Sequence, residues 1–159
     1  MEGVIGLKTG TTNRAGSCLV SAIPLKVGNK TQMIIAVELG AETSAERGEK
    51  SAVLLKYAQN YYASYNEAKA ITVKASTSVK KGSVTVKWKT TGNADGYEVY
   101  RSLKKATGYG KKKTTTKTSY VNASVKKGQR YYYKVKAYKL VNGNKIYSSW
   151  SNVVTAVAK

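Results

Sequence analysis

Apolar and polar positions along this chain follow two different rhythms, and the change of rhythm divides it. In the first part, apolar runs alternate with polar connections: "VIGLKTG" (4–10), "SCLVSAI" (17–23) and "QMIIAVELG" (32–40) are separated by "TTNRA" and "PLKVGNKT". Three strand-like runs with short connections predict an antiparallel meander. After Gly40, Thr43-Ser44-Ala45-Glu46 has capping-box spacing, a hydroxyl three residues before a carboxylate. Val53, Leu54, Tyr57, Ala58 and Tyr61 then recur at helical spacing, which predicts one amphipathic helix over roughly 44–64.

Beyond about residue 70 the period becomes two. In "SVTVKWK" (83–89), Val84, Val86 and Trp88 share one face, while Thr85, Lys87 and Lys89 share the other. "YEVYRS" (97–102) and "RYYYKVKAY" (130–138) repeat the alternation, with Tyr131, Tyr133, Val135 and Ala137 on one side of the latter. Glycine-containing turns at "KKGS", "GNADG", "KKGQ" and "NGNK" punctuate these runs. About seven short strands of this kind predict a β-sandwich. The expected fold is thus an α+β segment (a three-strand antiparallel meander plus a helix) over residues 1–66, followed by an all-β sandwich over 67–159.

Charge sharpens the division. The net charge is +20. Residues 1–69 hold eight basic and six acidic side chains, whereas 70–159 hold twenty basic ones against only Asp95 and Glu98. Composition also removes chemistry. With no His and a single Cys, Cys18, there is no disulfide framework, and a zinc site is excluded in practice; no metal or cofactor is expected. Cys18, inside an apolar run, reads as a small buried hydrophobe. No apolar run of about 18 residues is present to span a bilayer. Met1 and Glu2 lead directly into a strand-like segment, without the basic and apolar regions of a secretory leader.

Two resemblances follow from particular residues. At "GYEVYRS", "VKKGQRYYYKVKAY" and "SSWSNVVTAV" the second unit resembles a fibronectin type III domain. Trp88 stands where that family buries a tryptophan between its sheets, and Val125, Gly128 and Tyr131 match its tyrosine corner. That fold hosts many roles and by itself implies no activity.

At "GLKTGTTNRAGSCLVSAI", continuing through "MIIAVELGAETSAERGEKSAVLLKYAQNYY", the first unit resembles the end of the catalytic domain of serine D-alanyl-D-alanine carboxypeptidases, the low-molecular-mass penicillin-binding proteins. The resemblance implies an active-site wall. Lys8 would place positive charge beside the nucleophile and near the substrate's carboxylate, and Thr9 would offer that carboxylate a hydroxyl. Gly10 would leave room for the peptide alongside the strand. The Thr11 amide would form half of an oxyanion hole, a donor worth about 3–4 kcal/mol in acyl transfer. Arg47 matches a position where such enzymes place an arginine facing the cleft; a solvated helix residue is the equal alternative.

The same resemblance shows a gap. The family's Ser-x-x-Lys and Ser-x-Asn precede Lys-Thr-Gly, but only seven residues precede Lys8 here. Ser78–Lys81, Ser102–Lys105 and Ser124–Lys127 satisfy Ser-x-x-Lys by chance in a lysine-rich unit, at expected loops or strand ends. "SYN" (64–66) follows the helix, in the wrong order. No residue of this chain is therefore expected to be catalytic. The function expected is that of an inactive C-terminal fragment of a carboxypeptidase acting on peptidoglycan stem peptides, acylated by beta-lactams only when complete. The parent would be extracytoplasmic, in the wall or secreted. The alternative is a non-catalytic wall-binding or spacer protein with a basic fibronectin-like module.

The lysine-rich second unit suggests a polyanionic partner: anionic wall polymers, an anionic membrane or nucleic acid. Nucleic acid fits poorly, because Lys outnumbers Arg eighteen to two over 70–159 and no helix is expected there to enter a groove. A simple solvated surface is the plain alternative. For the first unit, three strands and one helix leave a sheet edge unpaired and a face uncovered, so poor order or self-association is expected.

Overall fold

The structure, a computed structural model, describes residues 3–5 and 7–159. Met1, Glu2 and Gly6, which fall in or just before the first expected strand, lie outside the described residues. The chain separates into two compact units, Met1–Asn66 and Glu67–Lys159.

The first unit begins with β1 (Leu7–Thr12), β2 (Gly16–Val27) and β3 (Lys30–Ala41), an antiparallel sheet in that order. The strands run further than the apolar segments suggested, because the turn between β2 and β3 is tighter. Val27 pairs with Lys30, leaving only Gly28 and Asn29 between them. Gly28 has φ +62, the left-handed value that a two-residue hairpin turn requires of its first residue. Pro24 is tolerated within β2 because it lies beyond Leu7–Ser21, the end of the β1 pairing. Its missing N–H therefore costs no bond to that neighbour.

The helix α1 (Ser44–Ala70) starts as its spacing predicts. The Glu46 N–H donates to Thr43 Oγ1 at 3.1 Å, and Glu46 Oε2 accepts from the Glu42 N–H at 2.8 Å. It extends past the expected end, so Ser64-Tyr65-Asn66 lies inside it, not after it. Asn66 is occupied structurally: it donates to the Lys26 carbonyl at 2.7 Å and accepts from the Gly28 N–H at 2.8 Å, holding the β2–β3 turn.

The packed face of α1 differs from the expected one. Val53, Leu54 and Tyr57 are 68%, 46% and 57% exposed, whereas Ser51 and Leu55, one turn apart, are buried. The reason lies in the opposing sheet. Ser21 and Ala36 are small, so the helix approaches closely enough for the Ser21 and Ser51 hydroxyls to hydrogen-bond. The core formed is thin: Ile23, Ala36 and Leu55, flanked by Val4, Leu25 and Ile34. Across the sheet, Val20, Met33, Ile35, Val37 and Leu39 lie open, with Leu39 71% exposed. Cys18 shares that side of β2; it is half-buried rather than part of the core, and its thiol lies 3.4 Å from the Ala15 carbonyl oxygen.

The second unit is a sandwich. β4 (Val73–Lys80), β5 (Ser83–Thr90) and β8 (Ser119–Asn122) make a three-stranded sheet. Against it stand β6 (Gly96–Ser102), β7 (Gly110–Thr115), β9 (Arg130–Val141), β10 (Asn144–Tyr147) and β11 (Val154–Val157). Both β10 and β11 pair with β9, so they are two halves of one interrupted edge strand. The alternation holds: Val84, Val86, Trp88, Tyr131, Tyr133, Val135 and Ala137 are all buried in one core. The buried Tyr133 hydroxyl is satisfied, accepting from Asn122 Nδ2 at 2.7 Å, whereas the buried Trp88 indole N–H has no hydrogen-bond partner among the described residues. The Asn142-Gly143 turn joining β9 to β10 has φ 51 and 77, the two positive values of a type I′ turn.

Two outcomes follow. The Tyr131 hydroxyl accepts from the Lys126 N–H at 3.0 Å, pinning the loop before β9. Tyr131→Phe should cost about 1 kcal/mol, lowering the melting temperature of the sandwich by roughly 4–8 °C in calorimetry; an unchanged transition would show that this bond contributes nothing. The open face of β2 and β3 should drive concentration-dependent association in sedimentation velocity. Ile35→Lys combined with Val37→Lys should restore the monomer without lowering thermal stability. A wild-type protein that stays monomeric at high concentration would contradict this.

Candidate functional site

Two places in the structure concentrate polar chemistry, one in each unit. The first is β1, the outer strand of its sheet, which carries Lys8-Thr9-Gly10-Thr11. Alternation sends successive side chains to opposite faces. Thr9 pairs with buried Leu19 and Thr11 with buried Ser17, so both lie on the α1 side. Lys8 pairs with Val20, on the open side, and its ammonium donates to the Thr9 carbonyl at 2.8 Å.

Arg47, in the first turns of α1, reaches this strand. Its Nη1 donates to the Cys18 carbonyl at 3.1 Å, to the Gly10 carbonyl at 3.4 Å and to Thr11 Oγ1 at 3.4 Å. Thr9 and Arg47 line one pocket of about 440 Å³ with Leu19, Ser21, Ser51 and Leu55. The structure thus gathers Thr9, Gly10, Thr11 and Arg47, with Lys8 on the strand's other face. Gly10 is not demanded by packing: a methyl group there would meet nothing within 4 Å, and its φ is not positive.

The chance matches are dispersed. Ser78 lies in β4 with Lys81 in the following turn, Ser102 ends β6 with Lys105 in a loop, and Ser124 and Lys127 lie between β8 and β9. None presents a lysine one helical turn from a serine.

The second place was not foreseen as a site. Glu98 points outward from β6, away from the core, yet is only 1% exposed. Lys145, Lys111 and Lys136 surround it, their ammoniums 3.1, 3.6 and 3.7 Å from its carboxylate. The Tyr100 and Tyr147 hydroxyls donate to it at 2.9 and 3.1 Å. Burial alone would push its pKa up, but the Lys145, Tyr100 and Tyr147 hydrogen bonds and the Lys111 charge together hold it at about 2. Tyr100 is raised to about 12 by its own burial and by this carboxylate. A Cβ at nearby Gly96 would meet the Tyr138 hydroxyl and the ring edge that carries it, so a larger residue there would displace the Tyr138 side chain.

Aromatic rings interleave with these cations. Lys136 stands 3.4 Å from the Tyr147 ring centroid, Lys134 3.9 Å from that of Trp150 and 4.3 Å from that of Tyr109, and Lys145 4.3 Å from that of Tyr138. Trp150 also meets Tyr100 edge-on, with centroids 4.9 Å apart. The sequence carried one signal for this array, the outward row Tyr132, Lys134, Lys136 and Tyr138 on β9. The position of Glu98 opposite Lys136 depends on strand register.

No protein-family model matches the chain, and no curated protein matches it. Solved structures do. A fibronectin type III-like protein from Clostridium thermocellum aligns with 26% identity over 58% of this chain and 95% of its own, at a TM-score of 0.46. A fibronectin type III domain of the human fibronectin type III domain containing protein 3 aligns with 19% identity over 55% of this chain and 84% of its own, at 0.44. A beta-1,2-glucanase from Parabacteroides distasonis aligns with 22% identity over 56% of this chain, at 0.48. This chain spans 13% of the glucanase. The strand order and the tyrosine corner, rather than these likenesses, make the second unit fibronectin type III-like.

Both sites give a measurable outcome. Gly10→Ala should leave thermal stability unchanged or raise it by up to about 1 kcal/mol, since glycine within a strand is costly and the space is free; a clear loss would show a packing role. For Glu98, the folded pKa lies below the unfolded value, so its contribution is complete above roughly pH 4.5 and is lost as pH falls through about 2. Urea midpoints should therefore fall over that window in the wild type and change less in Glu98→Gln. Parallel profiles would exclude Glu98 as the source.

Proposed function

We propose that residues 1–66 are part of the catalytic domain of a serine D-alanyl-D-alanine carboxypeptidase, contributing one wall of its cleft but no nucleophile. The observation that carries the reading is the convergence of Arg47 on the Gly10 carbonyl and the Thr11 hydroxyl, at a glycine that packing does not require. An outer strand with room alongside suits an extended peptide that pairs with it. Arg47 supplies charge and Thr9 a hydroxyl for a terminal carboxylate on the α1 side of the strand, and Lys8 adds positive charge from its other face. The thin core and open apolar face support a unit that packs against further structure.

In the complete reaction a serine hydroxyl from outside these residues would attack the penultimate D-Ala carbonyl. An acyl ester would form, D-Ala would leave as the amine, and water would then hydrolyse the ester. The Thr11 amide would hold the developing oxyanion. Arg47, bonded to the Thr11 side chain, would fix that turn of the cleft.

Two measurements test this. A labelled penicillin incubated with the 159-residue protein should leave it unmodified in mass spectrometry. Labelling of any serine here would overturn the placement of the nucleophile. The nucleotide sequence upstream of the Met1 codon should encode Ser-x-x-Lys and then Ser-x-Asn in frame; their absence would remove the carboxypeptidase reading itself.

A further inference from the structure

The Glu98 cluster is the centre of a larger surface. Tyr100 and Glu98 of β6, Lys111 of β7, Lys134, Lys136 and Tyr138 of β9, and Lys145 and Tyr147 of β10 form one continuous array. The interruption between β10 and β11 adds Trp150. There two serines keep the segment on β9: their backbone N–H groups donate to the Ala137 and Val135 carbonyls, and Ser148 Oγ and Ser151 Oγ accept from the Ala137 and Val135 N–H, each at 2.9 Å. An interruption of this kind re-aims side chains. Here Trp150, between the two serines, leans over Tyr100 and Lys134 while staying 43% exposed.

The charge on this surface is unbalanced. Four lysines (Lys111, Lys134, Lys136 and Lys145) face one carboxylate, and Lys134 has no carboxylate within ion-pair distance among the described residues. Rings and Glu98 hold these ammoniums in place, so little side-chain freedom remains to be lost when an anion arrives. Because Glu98 stays ionised down to about pH 2, the arrangement persists at every physiological pH.

We propose that this face binds a linear sugar- or polyol-phosphate polymer, its phosphates on the lysine row and an apolar edge of its repeating unit against Trp150. The cations favour phosphate: lysine is a compact point charge that tolerates many phosphate orientations, whereas planar carboxylate recognition favours arginine. The rings argue against single-stranded nucleic acid. Base binding needs free aromatic faces, but Tyr109, Tyr138 and Tyr147 each already carry a lysine ammonium over the ring. Trp150 also carries Lys134 over its ring, but it is 43% exposed, and its open edge suits isolated contacts with sugar or polyol C–H groups rather than base stacking. The proposal concerns the second unit alone and is independent of the carboxypeptidase reading.

The test titrates the full chain with polyglycerol phosphate, with polygalacturonate, oligo(dT) and phosphatidylglycerol vesicles as comparisons. Polyglycerol phosphate should bind most tightly, and in NMR spectra of the wild type the Trp150 indole signal should move while that of buried Trp88 stays. Lys111→Gln with Lys134→Gln should weaken binding about tenfold and reduce the salt slope by about 1 to 2. Lys74→Gln with Lys87→Gln, an equal loss of charge on the other sheet, should leave it within about twofold, as charge screened over a Debye length contributes little. Equal weakening by both pairs, tighter binding of any comparison ligand, an unmoved Trp150 signal or no binding would each overturn the proposal.

Discussion

The second unit depends on one strand serving two surfaces. β9 pairs with β6, β10 and β11, and its period of two places Tyr131, Tyr133, Val135 and Ala137 in the core. The intervening Lys134, Lys136 and Tyr138 fall on the outer face. A shift of one residue would exchange the two sets, burying lysines and exposing the core. The apolar set therefore specifies the register strongly, and the outer array inherits that precision without contributing to the core. Its alignment of Glu98 with Lys136 is a consequence of burying Tyr133 and Val135 correctly.

The first unit has the opposite economy. Its helix packs through few contacts, Ser51 against the small Ser21 and Leu55 with Ile23 and Ala36. This brings Arg47 close enough to bridge β1 and β2, yet it leaves most large apolar side chains of β3 and the Val53, Leu54 and Tyr57 stripe outside. A chain of this length ordinarily buries its largest apolar groups first. Here the buried groups fix geometry around the Lys-Thr-Gly strand, and the exposed ones are suited to contacts beyond the unit. That division is what connects a small core to the proposal of a cleft wall.

The legibility of these features in the sequence follows from how local their causes are. The alternation in β5 and β9, the capping box at Thr43 and the turn at Asn142-Gly143 depend on neighbours within a few residues, and the sequence revealed them. The packed face of α1 depends on the size of Ser21 and Ala36 across the sheet, so an apolar stripe at Val53, Leu54 and Tyr57 pointed to the wrong side. Asn66 resembled part of a catalytic motif by spacing, while its role at the Gly28 turn depends on residues about forty positions away. Arg47 was paired with Lys-Thr-Gly only through family resemblance. The Glu98 cluster, assembled from four strands, left in the sequence only the outward lysine and tyrosine row of β9.

Glu98 also shows how a unit this basic tolerates its own charge. Lys111, Lys136 and Lys145 all approach one point, and without a counter-charge their mutual repulsion in a partly desolvated setting would spread them apart. Placing the carboxylate beneath them, bonded to two tyrosine hydroxyls, neutralises one charge from inside and leaves the excess directed outward. Burial lowers the pKa of Lys136, through desolvation first, while Lys145, hydrogen-bonded to Glu98, is raised. The cations are thus not equivalent: Lys145 is engaged from below, while Lys134, with no carboxylate within ion-pair distance among the described residues, faces outward unneutralised. An external phosphate would complete from solvent the neutralisation that Glu98 begins from within.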